Sequence, residues 1–159
     1  MSGPLTGSSN EQSNGPQPIE IDRSGVDHCF GCGQANTNGM RLTFHRYDDG
    51  TVETRHAVAP HHCGLDTVVH GGIQATILDE VMGVAAQLAL PANATDLACI
   101  TAEMNVRYRR PVPMDQTVVA RARVDRIEGR DMYVNGAIVD PDGNPLTEGK
   151  SRWRQLRIE

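Results

Sequence analysis

Two carboxylates stand side by side in the stretch VVHGGIQATILDEVMGVAAQLAL, residues 68–90. They are Asp79 and Glu80, and no lysine or arginine accompanies them between Gly71 and Leu90. Upstream of them, His70 is followed by the glycine pair Gly71 and Gly72. A carboxylate can act as a general base or as a nucleophile, and burial makes it a stronger base by raising its pKa. Glycines at the start of a helix leave the first backbone N–H groups open to close approach. Those groups lack helical partners and sit at the positive end of the helix dipole, so they suit a carbonyl on which negative charge develops. Taken alone, the glycine pair also fits a plain tight turn into the helix. With an isolated carboxylate about two turns further on, the catalytic reading is the stronger one.

The element that must position these groups is a helix opening at His70-Gly71-Gly72 and ending before Pro91. At ~100° per residue, Ile73, Ile77, Val81, Val84 and Leu88 form one apolar stripe, expected to face a sheet. Opposite lie Gly72, Ala75, Asp79, Gly83 and Ala86, small residues around one acid. A wet helix face carries Lys, Arg, Glu or Gln instead, so this face is expected to be covered, most simply by a symmetry mate.

Strands surround the helix in the chain. MRLTFHRY and TVETRHAVA alternate about a DDG turn, predicting a strand pair over residues 40–59. Residues 60–69 read as a loop. Further strands are predicted near 98–110, 116–128 and 131–140, with a turn through Gly129, and a last one after the turn DPDGNP. One long helix with an antiparallel set of strands is an α+β arrangement in one domain, residues 26–159. Residues 1–25, rich in Ser, Gly, Pro, Asn and Gln, read as a disordered tail. The net charge of −5 without blocks of like charge argues against nucleic acid as a partner. No apolar run of membrane-spanning length occurs. Four cysteines without an export signal fit a reducing cytoplasm.

Cys29 and Cys32 form one C-x-x-C beside His28, and Cys63, His61 and His62 could complete a zinc site in space. With no second C-x-x-C, the expectation is a packing loop and no metal. Trp153 is expected to pack.

HGGIQATILDEVMG followed by TAEMNVRYRRPVP resembles the hotdog-fold acyl-CoA thioesterases of the phenylacetate-degradation type, and CFGCGQANTNGMRL resembles a segment frequent upstream in that group. The likeness spans residues 27–157. It implies a hotdog fold, a curved antiparallel sheet wrapped round one central helix. It implies pairing of edge strands into a homodimer or homotetramer, two active sites at the dimer interface, and no cofactor. By the resemblance, Gly72, with Gly71 beside it, polarises the thioester carbonyl of an acyl-CoA. Asp79 acts as general base or as nucleophile toward a substrate held by the opposite subunit, with Glu80 as the alternative acid. Family members often hold the lytic water with an Asn or Gln six places before the motif histidine. Gly64 stands there in this chain, and His62 is the nearest polar candidate. His70 reads as an N-cap or turn residue bordering the substrate, with Thr101 and Asn105 near the pocket. Arg109 and Arg110 are candidates for the phosphates of coenzyme A. Thioester hydrolysis is therefore expected. The alternative is a non-catalytic hotdog module that binds acyl thioesters or fatty ligands. A hydratase is disfavoured, because no histidine follows Asp79 or Glu80.

Overall fold

The structure, a computed structural model, describes residues 17–18 and 27–158. The expected tail lies outside these residues except for Gln17–Pro18, which forms strand β1. The other elements are β2 (Phe44–Arg46), β3 (Val52–His56), β4 (Cys63–Leu65), β5 (Val68–Val69), α1 (Gly71–Leu88), β6 (Leu97–Tyr108), β7 (Val118–Glu128), β8 (Asp131–Val139) and β9 (Pro145–Arg157). One antiparallel sheet runs in the order β1-β2-β3-β7-β8-β9-β6, and β4 pairs with β5 separately. Helix α1 packs against β3, β6, β7, β8 and β9, so the sheet wraps it as expected. Register shifts at Thr101/Glu103, Val124/Arg126 and Ile138/Val139 mark three bulges among the long strands β6 to β9. Bulges bend a strand and increase its twist, which is how a sheet curls round a single helix.

Turn chemistry lies where the residue types demand it. Gly50, Gly129 and Gly143 take positive φ of 84°, 60° and 85° at three hairpin turns. The first hairpin is shorter than its alternation suggests. Arg41 sits at φ 52°, and Met40 and Leu42 donate backbone hydrogen bonds to Phe30 and Gly31 at 2.8 and 2.9 Å. Their side chains are buried as the pattern required, yet this backbone pairs with the CFGC loop rather than with β3. Residues 60–69, read as loop, form a 3-10 turn (Pro60–His62) and the β4–β5 ladder.

The helix is rotated relative to the expected stripe. Its buried residues are Gln74, Ile77, Leu78, Val81, Met82, Ala85 and Ala86, while Leu88 is exposed. A sheet that curls round the helix covers a broader arc than a flat one, and the stripe shifts toward its centre. The small residues also have a nearer cause than a symmetry mate. A Cβ on Gly83 would lie 2.7 Å from the Trp153 ring, and Ala86 is fully buried inside the chain. Gly136 and Gly149 face each other across β8 and β9. A Cβ on either would come within 2.9 Å of the Met82 side chain, so both leave room for it.

Outside this core, Glu53 is almost fully buried, accepting from Arg55 and Arg121 at 2.7 Å and from Tyr47 at 3.1 Å. Burial works to raise its pKa, and the two guanidiniums and the Tyr47 hydroxyl outweigh it, leaving the group below its ordinary 4.5.

Gly83→Val puts carbon atoms into the Trp153 ring and is expected to lower stability by ~1–3 kcal/mol in urea unfolding. A lowered carboxylate pKa contributes stability above the unfolded value, which is lost as pH falls through the folded value. Wild-type stability should therefore fall with pH below about 4.5. Glu53→Gln should cost about 1–3 kcal/mol at neutral pH and remove that part of the acid dependence, as followed by thermal unfolding across pH.

Candidate functional site

The start of α1 is built by three segments. His70 is the N-cap, and its Nδ1 accepts from the Gly72 N–H at 2.9 Å. The expected capping role of His70 is thus present. The Gly72 N–H, assigned to a substrate carbonyl by the resemblance, is occupied here by an imidazole. The His70 N–H donates to the His62 carbonyl at 3.0 Å, so His62 holds the cap by its backbone. The His62 imidazole is lowered in pKa, by burial first and by His61 second, which keeps it neutral near pH 7. Among the described residues its Nδ1 is buried without a partner. Tyr108, at the end of β6, donates to the Gly71 carbonyl at 2.8 Å and lies beside the Gly71 Cα. Sequence reasoning missed Tyr108. It also missed Gln74, a buried amide that donates to the Val69 carbonyl at 2.8 Å and accepts from Thr147 at 2.6 Å, tying the first turn to β9. A glutamine one turn into an otherwise apolar helix face was the available signal for it.

Two turns along, the adjacent acids part company. Asp79 turns toward β6 and accepts from the Thr101 hydroxyl at 2.8 Å. Burial raises its pKa, and the Thr101 hydrogen bond offsets part of the rise. Glu80 turns to the CFGC loop. Its side chain occupies the space that a Cβ on Gly31 would need, and its Oε1 lies 3.4 Å from the Cys29 Sγ. Burial raises Glu80 as well, the thiols of Cys32 and Cys29 lower it, and the charge of Asp79 adds to the rise. Burial also pushes the Cys32 thiol up, with Glu80 adding to it. Cys29, Cys32 and Glu80 bring one donor atom each within 4.8 Å of one another. Cys63 and the histidines beside it are not part of that cluster.

The remaining candidates lie elsewhere. Trp153 faces the helix at Gly83, and Ser151 faces Met82, so the alternate residues of β9, including Lys150 and Glu148, point away. Asn105 pairs with Lys150, which puts it on the outer face of the sheet. Arg109 pairs with Glu148 at 2.6 Å, and Arg110 reaches Asp140 and the Pro145 carbonyl at 3.4 and 3.5 Å. Both arginines follow Tyr108, at the end of the sheet where α1 begins. A groove of about 580 Å³ on the outer face is lined by Asn105, Arg107, Arg109, Arg121, Arg123 and Lys150 among others. A second cavity of about 410 Å³ is lined by residues including Val112, Val118 and Ile138. Asp79 lines neither.

The sequence model of the thioesterase superfamily matches residues 66–147, just over half the chain, from the loop before α1 into β9. The acyl-coenzyme A thioesterase THEM4 of Bos taurus is 26% identical over 132 residues, which cover 82% of this chain and 52% of that protein. THEM4 of Mus musculus is 33% identical over 100 residues, covering 62% of this chain and 40% of that one. The chain thus spans about half the length of these curated relatives or less. MIOREX complex component 3 of Saccharomyces cerevisiae is 25% identical over 95 residues, covering 60% of this chain and 34% of that one. Among solved structures, the thioesterase superfamily protein RHA08564 superposes with a TM-score of 0.72 at 25% identity, covering 80% of this chain and 60% of that one. The BH2602 protein of Bacillus halodurans, solved with CoA, gives 0.66 at 24% identity and covers 86% of each chain. Among the described residues no helix is long and apolar enough to cross a membrane.

The two clamps on the first turn of α1 predict separate costs. His70→Ala strips the side-chain cap from Gly72 and should lower unfolding free energy by ~1 kcal/mol. Tyr108→Phe removes the hydrogen bond to Gly71 and should cost ~0.5–1.5 kcal/mol. Both are read by urea denaturation, and amide exchange at Gly71–Gln74 should speed up in each.

Proposed function

Because the chain belongs to the thioesterase superfamily, we propose that it hydrolyses an acyl-CoA thioester to the free acid and CoA, using Asp79. The observation that carries this reading is the setting of that acid. Asp79 is part-buried on a helix without a single cation, raised in pKa by burial and oriented by the Thr101 hydroxyl. Water attacks the thioester carbonyl as Asp79 takes its proton, the C–S bond breaks, and the CoA thiolate leaves and is protonated. In the nucleophilic variant Asp79 attacks directly, and water then opens the resulting anhydride. Charge on the carbonyl oxygen falls to the N–H groups of Gly71 and Gly72 at the start of α1. Among the described residues the Gly71 N–H has no backbone acceptor, whereas Gly72 must exchange its imidazole partner for the substrate.

The site needs a second copy of the chain. Strand β6 is an edge, 12 residues long and paired on one side by β9. Ile100 and Tyr108 are half exposed along it. A long edge of this kind calls for cover. Pairing with β6 of a second copy would cover it, bring Thr101 and Asp79 to the seam, and supply the missing wall of an acyl slot. Arg109 and Arg110, half exposed at the helix-start end, would meet the phosphates of CoA by giving up Glu148 and Asp140. His62, tied to the His70 cap through its backbone, would hold the attacking water only by turning its buried Nδ1 toward the site. The four free cysteines fit a reducing compartment, and the cytoplasm is our assignment.

Thiol release from a panel of acyl-CoAs tests the reading, alongside light scattering for the assembly. The wild type should be a dimer or tetramer and release thiol, and Asp79→Asn should lose ~10²–10⁴-fold in kcat while staying folded and oligomeric. Full turnover in Asp79→Asn would overturn the assignment, and loss confined to Glu80→Gln would move it to that acid. Tight acyl-CoA binding by the wild type without thiol release would leave the binding module standing instead.

A further inference from the structure

We propose that Cys29, Cys32 and Glu80 form a binding site for a thiophilic divalent cation, with zinc as the ion that fits best. The three donor atoms lie within 4.8 Å of one another, and the Cys29 Sγ is 3.4 Å from a Glu80 oxygen. Donors on one tetrahedral zinc ion stand about 3.3–3.8 Å apart, given Zn–S near 2.3 Å and Zn–O near 2.1 Å. One pair is already at that separation, and side-chain rotation closes the rest.

The backbone places these donors from two firmly held parts. The Cys29–Cys32 turn is closed by the Gly33 N–H on the Cys29 carbonyl at 3.0 Å and by Ala35 on Asp27 at 3.1 Å. Met40 and Leu42 then pin Phe30 and Gly31 from outside. Glycine is needed twice in this turn. A Cβ on Gly33 would strike the backbone at Asp27 and Cys29, and one on Gly31 would strike Glu80. The space at Gly31 is what lets the acid from α1 reach the thiols.

Charge gives the second argument. Glu80 is part-buried, its partners are thiols, and the charge that bears on it is the like charge of Asp79. Among the described residues no arginine or lysine pairs with it. A divalent ion would supply the missing positive charge and take both cysteines as thiolates, releasing their protons. Thiolates select zinc, cobalt or cadmium over magnesium and calcium. Three protein ligands leave a fourth position for water. The proposal departs from the expectation of a metal-free packing loop. The missing ligand comes from the helix 48 residues past Cys32, rather than from the histidines near Cys63. Such a site divides the labour of the acid pair: Glu80 holds the ion, Asp79 stays free, and the CFGC loop is fixed beside it. The inference does not depend on the thioesterase reading.

The test uses the full chain, reduced, stripped with a chelator, and titrated with Co2+ and then Zn2+. The expected result is one equivalent of Co2+ per chain, an intense near-ultraviolet thiolate-to-cobalt band, and displacement by Zn2+. Cys29→Ser and Cys32→Ser should each lose most of that band, and Glu80→Gln should bind more than ~10-fold more weakly. Circular dichroism checks folding. Cys32 packs against the core, so Cys29→Ser and Glu80→Gln carry the test if Cys32→Ser unfolds. A folded, reduced wild type without a thiolate band overturns the proposal. So does a band that persists in Cys29→Ser, or a C-x-x-C that rests as a disulfide under reducing conditions. Because substrate is absent, failure here leaves the assignment of Asp79 untouched.

Discussion

Helix α1 carries two acids and no base into a part-buried setting, and the architecture around it answers that one constraint. A charge moved out of water is costly unless something replaces the lost solvation. The usual replacement is a guanidinium, as Glu53 shows on the outer side of β3, where Arg55 and Arg121 keep its pKa low. Among the described residues Asp79 and Glu80 receive only neutral donors, a hydroxyl and two thiols. Their pKa values rise as a result. The same fold thus holds one acid as a structural anion and two others as stronger bases. The difference lies in whether an arginine is within reach.

The depth of these acids is set by how closely the helix approaches the sheet. Gly83 lets the Trp153 ring lie against the helix backbone one turn beyond Asp79. Gly136 and Gly149 let Met82 sink between β8 and β9. Larger residues at any of these places would lift the helix away from the sheet and expose Asp79 further. Spacing and electrostatics are therefore one problem here. The residues that look like packing details fix how much solvation Asp79 loses.

Much of this was readable from the sequence, and the unreadable part has a common cause. Turn residues with positive φ, the length of β6 to β9 and the His70 start of α1 are local properties, and Gly50, Gly129, His70 and Gly143 announce them. The rotation of the helix stripe was not local, because it depends on how far three bulges curl the sheet. Nor were the partners of the small residues: Gly83 and Ala86 signalled a covered face correctly, but Trp153, some 70 residues on, covers Gly83 where a second copy was expected. The sequence placed Asp79 and Glu80 side by side, yet a rotation of ~100° sends them to different neighbours. Glu80 meets a loop 51 residues earlier, and Thr101 meets Asp79 from 22 residues later. No spacing rule reaches across such loops. Tyr108 on Gly71 was hidden for the same reason, its partner lying 37 residues earlier.

His70 raises a question of magnitudes on the proposed mechanism, because its imidazole holds a donor that the reaction wants. An N-cap of this kind is worth ~1 kcal/mol. A hydrogen bond to a developing oxyanion is worth ~2.7–4 kcal/mol in catalysis, while a neutral thioester carbonyl offers no more than the imidazole does. Exchange of partners at Gly72 is then close to neutral or unfavourable with substrate bound, and favourable once charge reaches the carbonyl oxygen. An interaction that strengthens only as the barrier is crossed accelerates the chemical step instead of tightening substrate binding. The cap therefore need not compete with catalysis. It keeps the first turn ordered, through His62 on one side and Tyr108 on the other, until the oxyanion offers a better acceptor.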